Sequence, residues 1–154
     1  MNFGPSYNSG MTNAIAPIAG RRSMSVVGDA VLPLLTQPSY ELFEVTGPEG
    51  SGPPPHAHPW DEGYVVLEGT LGIHVDGEEA IAEAGTTVTI PAGTVHAYQV
   101  VSPTARFLVA TSGTGAGRFF ADMDATVAPG FPTDETLPAI IEVAKRNSLT
   151  SPLF

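Results

Sequence analysis

Hydrophobic and polar positions alternate in short runs along most of the chain. Each run is rich in β-branched and aromatic residues and is separated from the next by Gly, Pro, Asn or Asp. Runs of this length and composition predict β-strands joined by turns. The nine runs are SMSVV, AVLPLL, SYELFEVT, EGYVVLE, TLGIHV, EEAIAEA, TTVTI, VHAYQVV and ARFLVAT. We therefore expect an all-β fold of antiparallel, hairpin-linked strands.

Several of these runs are apolar on both faces, and EGYVVLE is the clearest example. A strand of that kind must be covered on both sides, which indicates two packed sheets or a closed barrel rather than one open sheet.

The strand pattern ends after Gly117, and farther along the chain apolar residues recur at spacings of three and four. That period describes one face of a helix. The residues on this face are Leu137, Ile140, Ile141 and Ala144. Asp134 or Thr136 suits the start of this helix, and Lys145 and Arg146 suit its negative end. We expect a C-terminal helix that covers one side of the barrel.

The domain division follows from these patterns. Residues 1–22 mix Gly, Pro, Asn and Ser without a period, so we expect a flexible N-terminal arm. Residues 23–117 are expected to form the barrel and residues 118–154 a helical extension.

Length and charge narrow the class of protein. The 154 residues suffice for one domain, and 16 acidic against 6 basic residues give a net charge of -10. A negatively charged surface repels nucleic acid and anionic membranes. No apolar run approaches the roughly 18 to 20 residues of a membrane span. We therefore predict a cytoplasmic protein that binds neither nucleic acid nor membrane.

The chemistry of a site is limited by the absence of cysteine, because any metal must then be held by nitrogen and oxygen. His56 and His58 flank Ala57 directly after three prolines. In a strand, the side chains of residues i and i+2 point to the same side, so both imidazoles are expected to point into the same space. An oxygen ligand is available at Asp61 or Glu62, and His96 on a distant strand offers a third imidazole. The pattern predicts a metal site.

These residues resemble the two conserved motifs of the cupin superfamily. Gly50 to Gly69 follows the spacing G-x5-H-x-H-x3-E-x6-G, and Gly85 to His96 follows G-x5-P-x-G-x2-H. The second motif ends in asparagine, where this chain has Val100. The resemblance implies a jelly-roll β-barrel that holds one divalent transition metal ion on His56, His58, Glu62 and His96. It favours Glu62 over Asp61 as the oxygen ligand.

A narrower resemblance links the chain to single-domain bacterial cupins similar to quercetin 2,3-dioxygenase. It rests on GDAVLPLLT, ELFEVTGPEGSGPPPHAH and the tail RFFADM. It implies a dioxygenase acting on an apolar, hydroxylated ring compound, with Glu62 as both ligand and base. Two alternatives stay open, namely a lyase, isomerase or polyketide cyclase that uses the metal as a Lewis acid without dioxygen, and a non-catalytic binder. The donor set is compatible with Fe, Ni, Co, Mn or Zn.

The surroundings of the site can also be predicted from strand alternation. Tyr64 and Val66 share the face of Glu62, and Tyr98 and Val100 share the face of His96, so these four are expected to line the substrate pocket. Trp60 is expected either as a lid over the pocket or as an interface anchor. Because AVLPLL and the N-terminal arm offer more apolar surface than a small barrel covers, we expect a homodimer.

Overall fold

The computed structural model describes residues 15–154. In this range the chain forms nine strands followed by two helices. The strands are β1 Met24–Val26, β2 Asp29–Gln37, β3 Tyr40–Pro48, β4 Glu62–Glu68, β5 Thr70–Val75, β6 Glu78–Glu83, β7 Thr87–Ile90, β8 His96–Val100 and β9 Thr104–Ser112. The helices are α1 Gly115–Thr126 and α2 Leu137–Arg146. Each strand falls on one of the predicted runs, so the all-β prediction is confirmed.

Within residues 15–154, the strands form two separate sheets rather than one closed ladder. The first sheet has six strands in the order β1-β2-β3-β9-β4-β7, and the second has three in the order β6-β5-β8. All their pairings are antiparallel. The core contains fully buried residues from both sheets, among them Phe43, Leu71 and Phe107. This is the two-sheet form of a jelly roll.

The hairpin between β5 and β6 shows how the turns set the strand register. Val75 pairs with Glu78, so Asp76 and Gly77 alone make the turn. Their φ angles are 50° and 83°. Positive φ at both positions is the geometry of a type I′ turn, whose twist matches that of the flanking strands.

The C-terminal region contains two helices where the sequence pattern predicted one. The predicted helix is α2, which begins after Thr136 and carries Lys145 and Arg146 in its last turn. The additional helix, α1, begins with glycines at 115 and 117, which disfavour a helix in isolation. Tertiary contacts stabilise it, because the buried Glu41 carboxylate accepts a hydrogen bond from the main-chain N–H of Gly117 at 3.0 Å.

Ion pairs attach the helices to each other and to the strands. Arg146 of α2 pairs with Asp122 of α1 at 2.5 Å. Asp124, also on α1, pairs with Arg22 at 2.7 Å and accepts a hydrogen bond from the main-chain N–H of Ser25 in β1 at 2.8 Å. Both helices are therefore held at the β1 end of the large sheet.

Some sequence predictions are not decided by the fold. Most of the expected N-terminal arm, residues 1–14, lies outside the described residues, so its flexibility and the three-part domain division stay predictions. Among the described residues, neither helix has the length and apolar character that a membrane crossing requires. The cytoplasmic location also stays a prediction.

Candidate metal centre and its cavity

The four predicted ligands come from three separate parts of the fold. His56 and His58 lie on the connection between β3 and β4, Glu62 is the first residue of β4, and His96 is the first residue of β8. The site therefore lies between the two sheets. The main chains of His56 and His96 pair directly, with reciprocal N–H to carbonyl distances of 3.0 and 2.9 Å.

The side chains of these residues converge. The ligating nitrogen atoms of His56, His58 and His96 lie within 4.8 Å of one another. Glu62 Oε2 is 3.1 Å from His58 Nε2 and 3.0 Å from His96 Nε2. The structure thus brings together three imidazoles and one carboxylate, which is a donor set suited to a divalent transition metal.

The orientation of the imidazoles tests whether this donor set fits a metal. Each ring places Nδ1 within hydrogen-bond distance of a main-chain carbonyl oxygen, which can only accept, so Nδ1 carries the proton. The pairs are His56 with Pro54 at 2.9 Å, His58 with Trp60 at 3.0 Å and His96 with Thr94 at 2.8 Å. The Nε2 atoms of His58 and His96 can then approach the Glu62 carboxylate only if a second proton or a cation lies between them. A metal cation meets this need, so the residues fit a divalent metal ion.

Electrostatics keeps Glu62 ionised and His56 neutral. Burial acts to raise the pKa of the Glu62 carboxyl, but the hydrogen bonds and charges of His58 and His96 outweigh it and hold the pKa at about 2. Burial lowers the pKa of His56 to about 4, and the charge of His96 acts in the same direction. The carboxylate of Glu62 and the neutral imidazole of His56 are the forms of these two groups that bind metal.

Two neighbours support the cluster without joining it. Trp60 is 7% exposed and stacks on His58, so the structure places it beneath the imidazole and neither over the cavity as a lid nor on the surface as an anchor. Asp61 is exposed, and its Oδ1 accepts a hydrogen bond from the main-chain N–H of Ala92 at 2.9 Å. Asp61 therefore braces the loop after β7 while Glu62 faces the histidines.

A cavity of about 110 Å³ adjoins the cluster and reaches toward the helices. His56 and Glu62 form part of its wall, and most of the remaining wall is apolar. The apolar residues include Val31, Val45, Phe119, Phe120, Met123 and Leu149. A small molecule in this space would be shielded from water and would have one end at the candidate metal centre.

The residues predicted for the pocket divide into two pairs. Tyr64 and Tyr98 line the cavity. Val66 and Val100 are both 1% exposed and belong to the hydrophobic core, outside the set of described residues that line the cavity. Each valine lies two residues farther along its strand than the tyrosine that lines the cavity, and at that position it is enclosed by core residues. Contact of any of the four with substrate stays a prediction.

Asp29, at the start of β2, is a cavity residue that the sequence patterns did not single out. It is 4% exposed, and the Tyr98 hydroxyl donates to its Oδ2 at 2.5 Å. Its Oδ1 has no hydrogen-bond partner among the described residues, because the nearby Ser51 hydroxyl donates to the Pro48 carbonyl. Burial raises the pKa of Asp29, and the hydrogen bond from the Tyr98 hydroxyl offsets this in part. An acidic residue opening the apolar run DAVLPLL was the available signal.

Comparison with known families agrees with this geometry. Residues 43–111 match the cupin domain family. This segment is similar to cupin domains. It runs from β3 into β9 and contains all four residues of the candidate metal centre.

Individual known proteins are also similar to this chain in sequence or in structure. Quercetin 2,3-dioxygenase of Bacillus subtilis (strain 168) is 36% identical over 70 residues, which cover 45% of this chain. That match spans 21% of the length of the curated relative. An RmlC-like cupin from Shewanella frigidimarina NCIMB 400 superposes with a TM-score of 0.62 at 16% identity, covering 66% of this chain and 92% of that one. The polyketide cyclase RemF from Streptomyces resistomycificus gives a TM-score of 0.55 at 23% identity, covering 64% and 78%. The two structural matches establish the cupin fold.

Proposed function

We propose that this cupin is a metal-dependent dioxygenase that acts on an apolar, hydroxylated ring compound, with Glu62 as the general base. One observation carries the proposal. The Glu62 carboxylate is shared between His58 and His96 and also forms part of the wall of an apolar cavity. The partial match to quercetin 2,3-dioxygenase supports the choice of reaction class.

We further propose that His56, His58, Glu62 and His96 together hold one divalent ion of Fe, Ni, Co, Mn or Zn. When bound, such an ion supplies a Lewis acid that makes a substrate hydroxyl more acidic and, for a redox-active metal, a means of electron transfer to dioxygen. The identity of the ion depends on supply and geometry more than on these donor types.

In this proposal, Glu62 accepts the proton of the substrate hydroxyl, so the substrate O–H bond breaks and a carboxyl O–H bond forms. Its low pKa keeps Glu62 ionised at neutral pH. The Tyr64 hydroxyl donates to Glu62 Oε2 at 3.2 Å. The histidines are held at Nδ1 by main-chain carbonyls, so Glu62 is the ligand with the greatest freedom to receive the proton.

The apolar wall has a separate role in the proposed reaction. It holds the ring of the substrate, orients the hydroxyl toward Glu62 and excludes water from the reacting atoms.

Oxygen-electrode measurements test the reaction class. Protein grown in each defined metal and checked by elemental analysis would be assayed with a panel of hydroxylated aromatic compounds that includes a flavonol. Dioxygen consumption that follows substrate and metal occupancy is the expected result. Metal-replete protein that consumes no dioxygen with any member of the panel would contradict the proposal.

A second candidate is a lyase, isomerase or cyclase reaction without dioxygen. The hydrogen bond between Tyr64 and Glu62 favours it, because an acid and a base side by side can move a proton between two positions of one substrate. Steady product formation under nitrogen identifies this class. Ligand binding without turnover under either gas identifies a non-catalytic binder.

We also propose that the protein is a homodimer. Leu35 and Val65 are 49% and 41% exposed on the six-stranded sheet, which leaves apolar surface for a second copy to cover. Light scattering at micromolar concentration should return a particle of twice the chain mass, and a particle of the chain mass would contradict the dimer.

A further inference from the structure

We infer that the cavity selects a compact ligand, about the size of one substituted six-membered ring, with one polar group at the histidine and glutamate end and an apolar body. The inference rests on the proposed function in taking a hydroxylated ring as the ligand. It deepens that function by specifying the size and polarity of the ring compound.

Size is the first argument. The cavity measures about 110 Å³. An apolar protein cavity of about 150 Å³ holds one benzene molecule. This cavity is somewhat smaller than that benchmark, so it accepts at most a single ring as it stands, and the three rings of a flavonol exceed that limit.

The side of the cavity formed by α1 limits the length of a ligand. Phe120 is fixed by an edge-on contact with the core residue Phe43, with ring centroids 5.0 Å apart. Phe119 lies beside it at 5.6 Å and is half-buried. Both rings pack against the core, but among the described residues only Phe120 contacts the ring of Phe43, so removal of Phe119 should lengthen the cavity at less cost to the fold than removal of Phe120.

The hydrogen bonds of the cavity wall supply the second argument. Three hydroxyl groups line the cavity, and each already donates its one hydrogen within the protein. The pairs are Tyr64 to Glu62, Tyr98 to Asp29 and Ser151 to the Pro55 carbonyl. No hydroxyl donor among residues 15–154 therefore remains in this wall for a carbonyl group on the far end of a ligand. Such a group would be buried without a partner, which weakens binding.

Calorimetric titration under nitrogen tests both arguments on the full chain loaded with zinc, which serves as a probe metal. The ligands are 4-ethylphenol, 4-hydroxybenzaldehyde, 2-naphthol and quercetin. The aldehyde and 4-ethylphenol are similar in size, and the more acidic phenol of the aldehyde favours its binding at the histidine end. If the aldehyde binds more weakly than 4-ethylphenol, the difference is therefore due to its carbonyl group at the far end of the cavity.

We expect 4-ethylphenol to bind at least about tenfold more tightly than each of the other three ligands. Phe119→Ala should improve the affinity for 2-naphthol relative to 4-ethylphenol by about tenfold or more. Phe131→Ala, which removes an exposed ring outside the cavity lining, is the matched control and should leave all four affinities unchanged. Phe119→Leu provides a milder change if the alanine variant fails to fold.

Three results would overturn the inference. They are quercetin binding as tightly as 4-ethylphenol, the aldehyde binding as tightly as 4-ethylphenol, and no binding of any probe. Failure of the proposed function is seen separately. If no probe supports dioxygen consumption but the order of affinities holds, the ligand class stands and the oxygenase assignment is rejected.

Discussion

The indole of Trp60 lies almost parallel to the imidazole of His58, with ring centroids 4.3 Å apart and an interplanar angle of 8°. Trp60 also packs closely against Gly115, at the start of α1, where a side chain would collide with the indole ring. The contact therefore links a proposed metal ligand to the first turn of a helix that borders the cavity.

Metal binding should change the fluorescence of this protein, because Trp60 is its single tryptophan. Titration with Ni²⁺ or Co²⁺ is expected to quench the emission through the stacked His58 ring, to an end point of one ion per chain. His96→Ala should lose the response, since it removes a ligand without touching the indole. Unchanged emission at full metal occupancy would exclude binding next to Trp60.

Replacement of His56, His58 or His96 by alanine should strongly reduce bound metal, because each removes one of three nitrogen donors that lie within 4.8 Å of one another. His74→Ala is the matched control. Its side chain lies on β5, is 35% exposed and approaches Glu79 at 4.0 Å, away from the cluster. Elemental analysis after purification measures the bound metal. Full metal content in all three site variants would show that these histidines do not hold it.

Glu62→Gln should lower turnover by at least about a hundredfold while metal content falls much less. Glutamine retains an oxygen donor but cannot accept a proton, whereas the three imidazoles remain. Asp61→Asn is the control, because asparagine can still accept the hydrogen bond from Ala92. Equal losses of turnover in the two variants, or a fully active Glu62→Gln protein, would show that Glu62 is not the base.

Asp29→Asn should stabilise the protein at pH 7 and have little effect near pH 4. The folded-state pKa of Asp29 is raised by burial, so above its unfolded value of 3.8 the folded state binds more protons and stability falls as pH rises through the folded pKa. Asparagine removes this dependence and keeps an acceptor for Tyr98. Melting temperatures of both proteins between pH 4 and 8 provide the measurement. A variant less stable than wild type throughout would mean that the carboxylate is favourable in its ionised form.

Gly47→Ala should destabilise the fold by about 1–3 kcal/mol, because an added Cβ would overlap the Asp29 carboxylate and the Ser51 hydroxyl. Gly63→Ala, on β4 of the same sheet, is the matched control. Its Cβ would lie 3.5 Å from its nearest neighbour, the Val88 carbonyl oxygen, which is an ordinary van der Waals contact. Chemical denaturation compares the two. Equal stability would indicate that Asp29 and Ser51 can move aside freely.

Much of the fold and of the candidate site could be predicted from local sequence. Strand runs and turn residues act over a few positions, so all nine strands were predictable, as was the Asp76–Gly77 turn. The spacing of His56 and His58 placed two imidazoles on one side because strand alternation is local. The resemblance of the two motifs then connected Glu62 and His96 to the same site.

Tertiary structure decided what depends on contacts between distant segments. Helix α1 forms where Glu41 of another strand meets its first turn, a contact that no local period encodes. Asp29 lines the cavity and accepts a hydrogen bond from Tyr98 on the opposite sheet, a pairing between distant segments of the chain. Val66 and Val100 have the same alternation as Tyr64 and Tyr98, but only the tyrosines line the cavity, whereas the valines are enclosed by the core. Alternation determines which way a side chain points, whereas the packing of the two sheets determines whether it meets a cavity or another side chain.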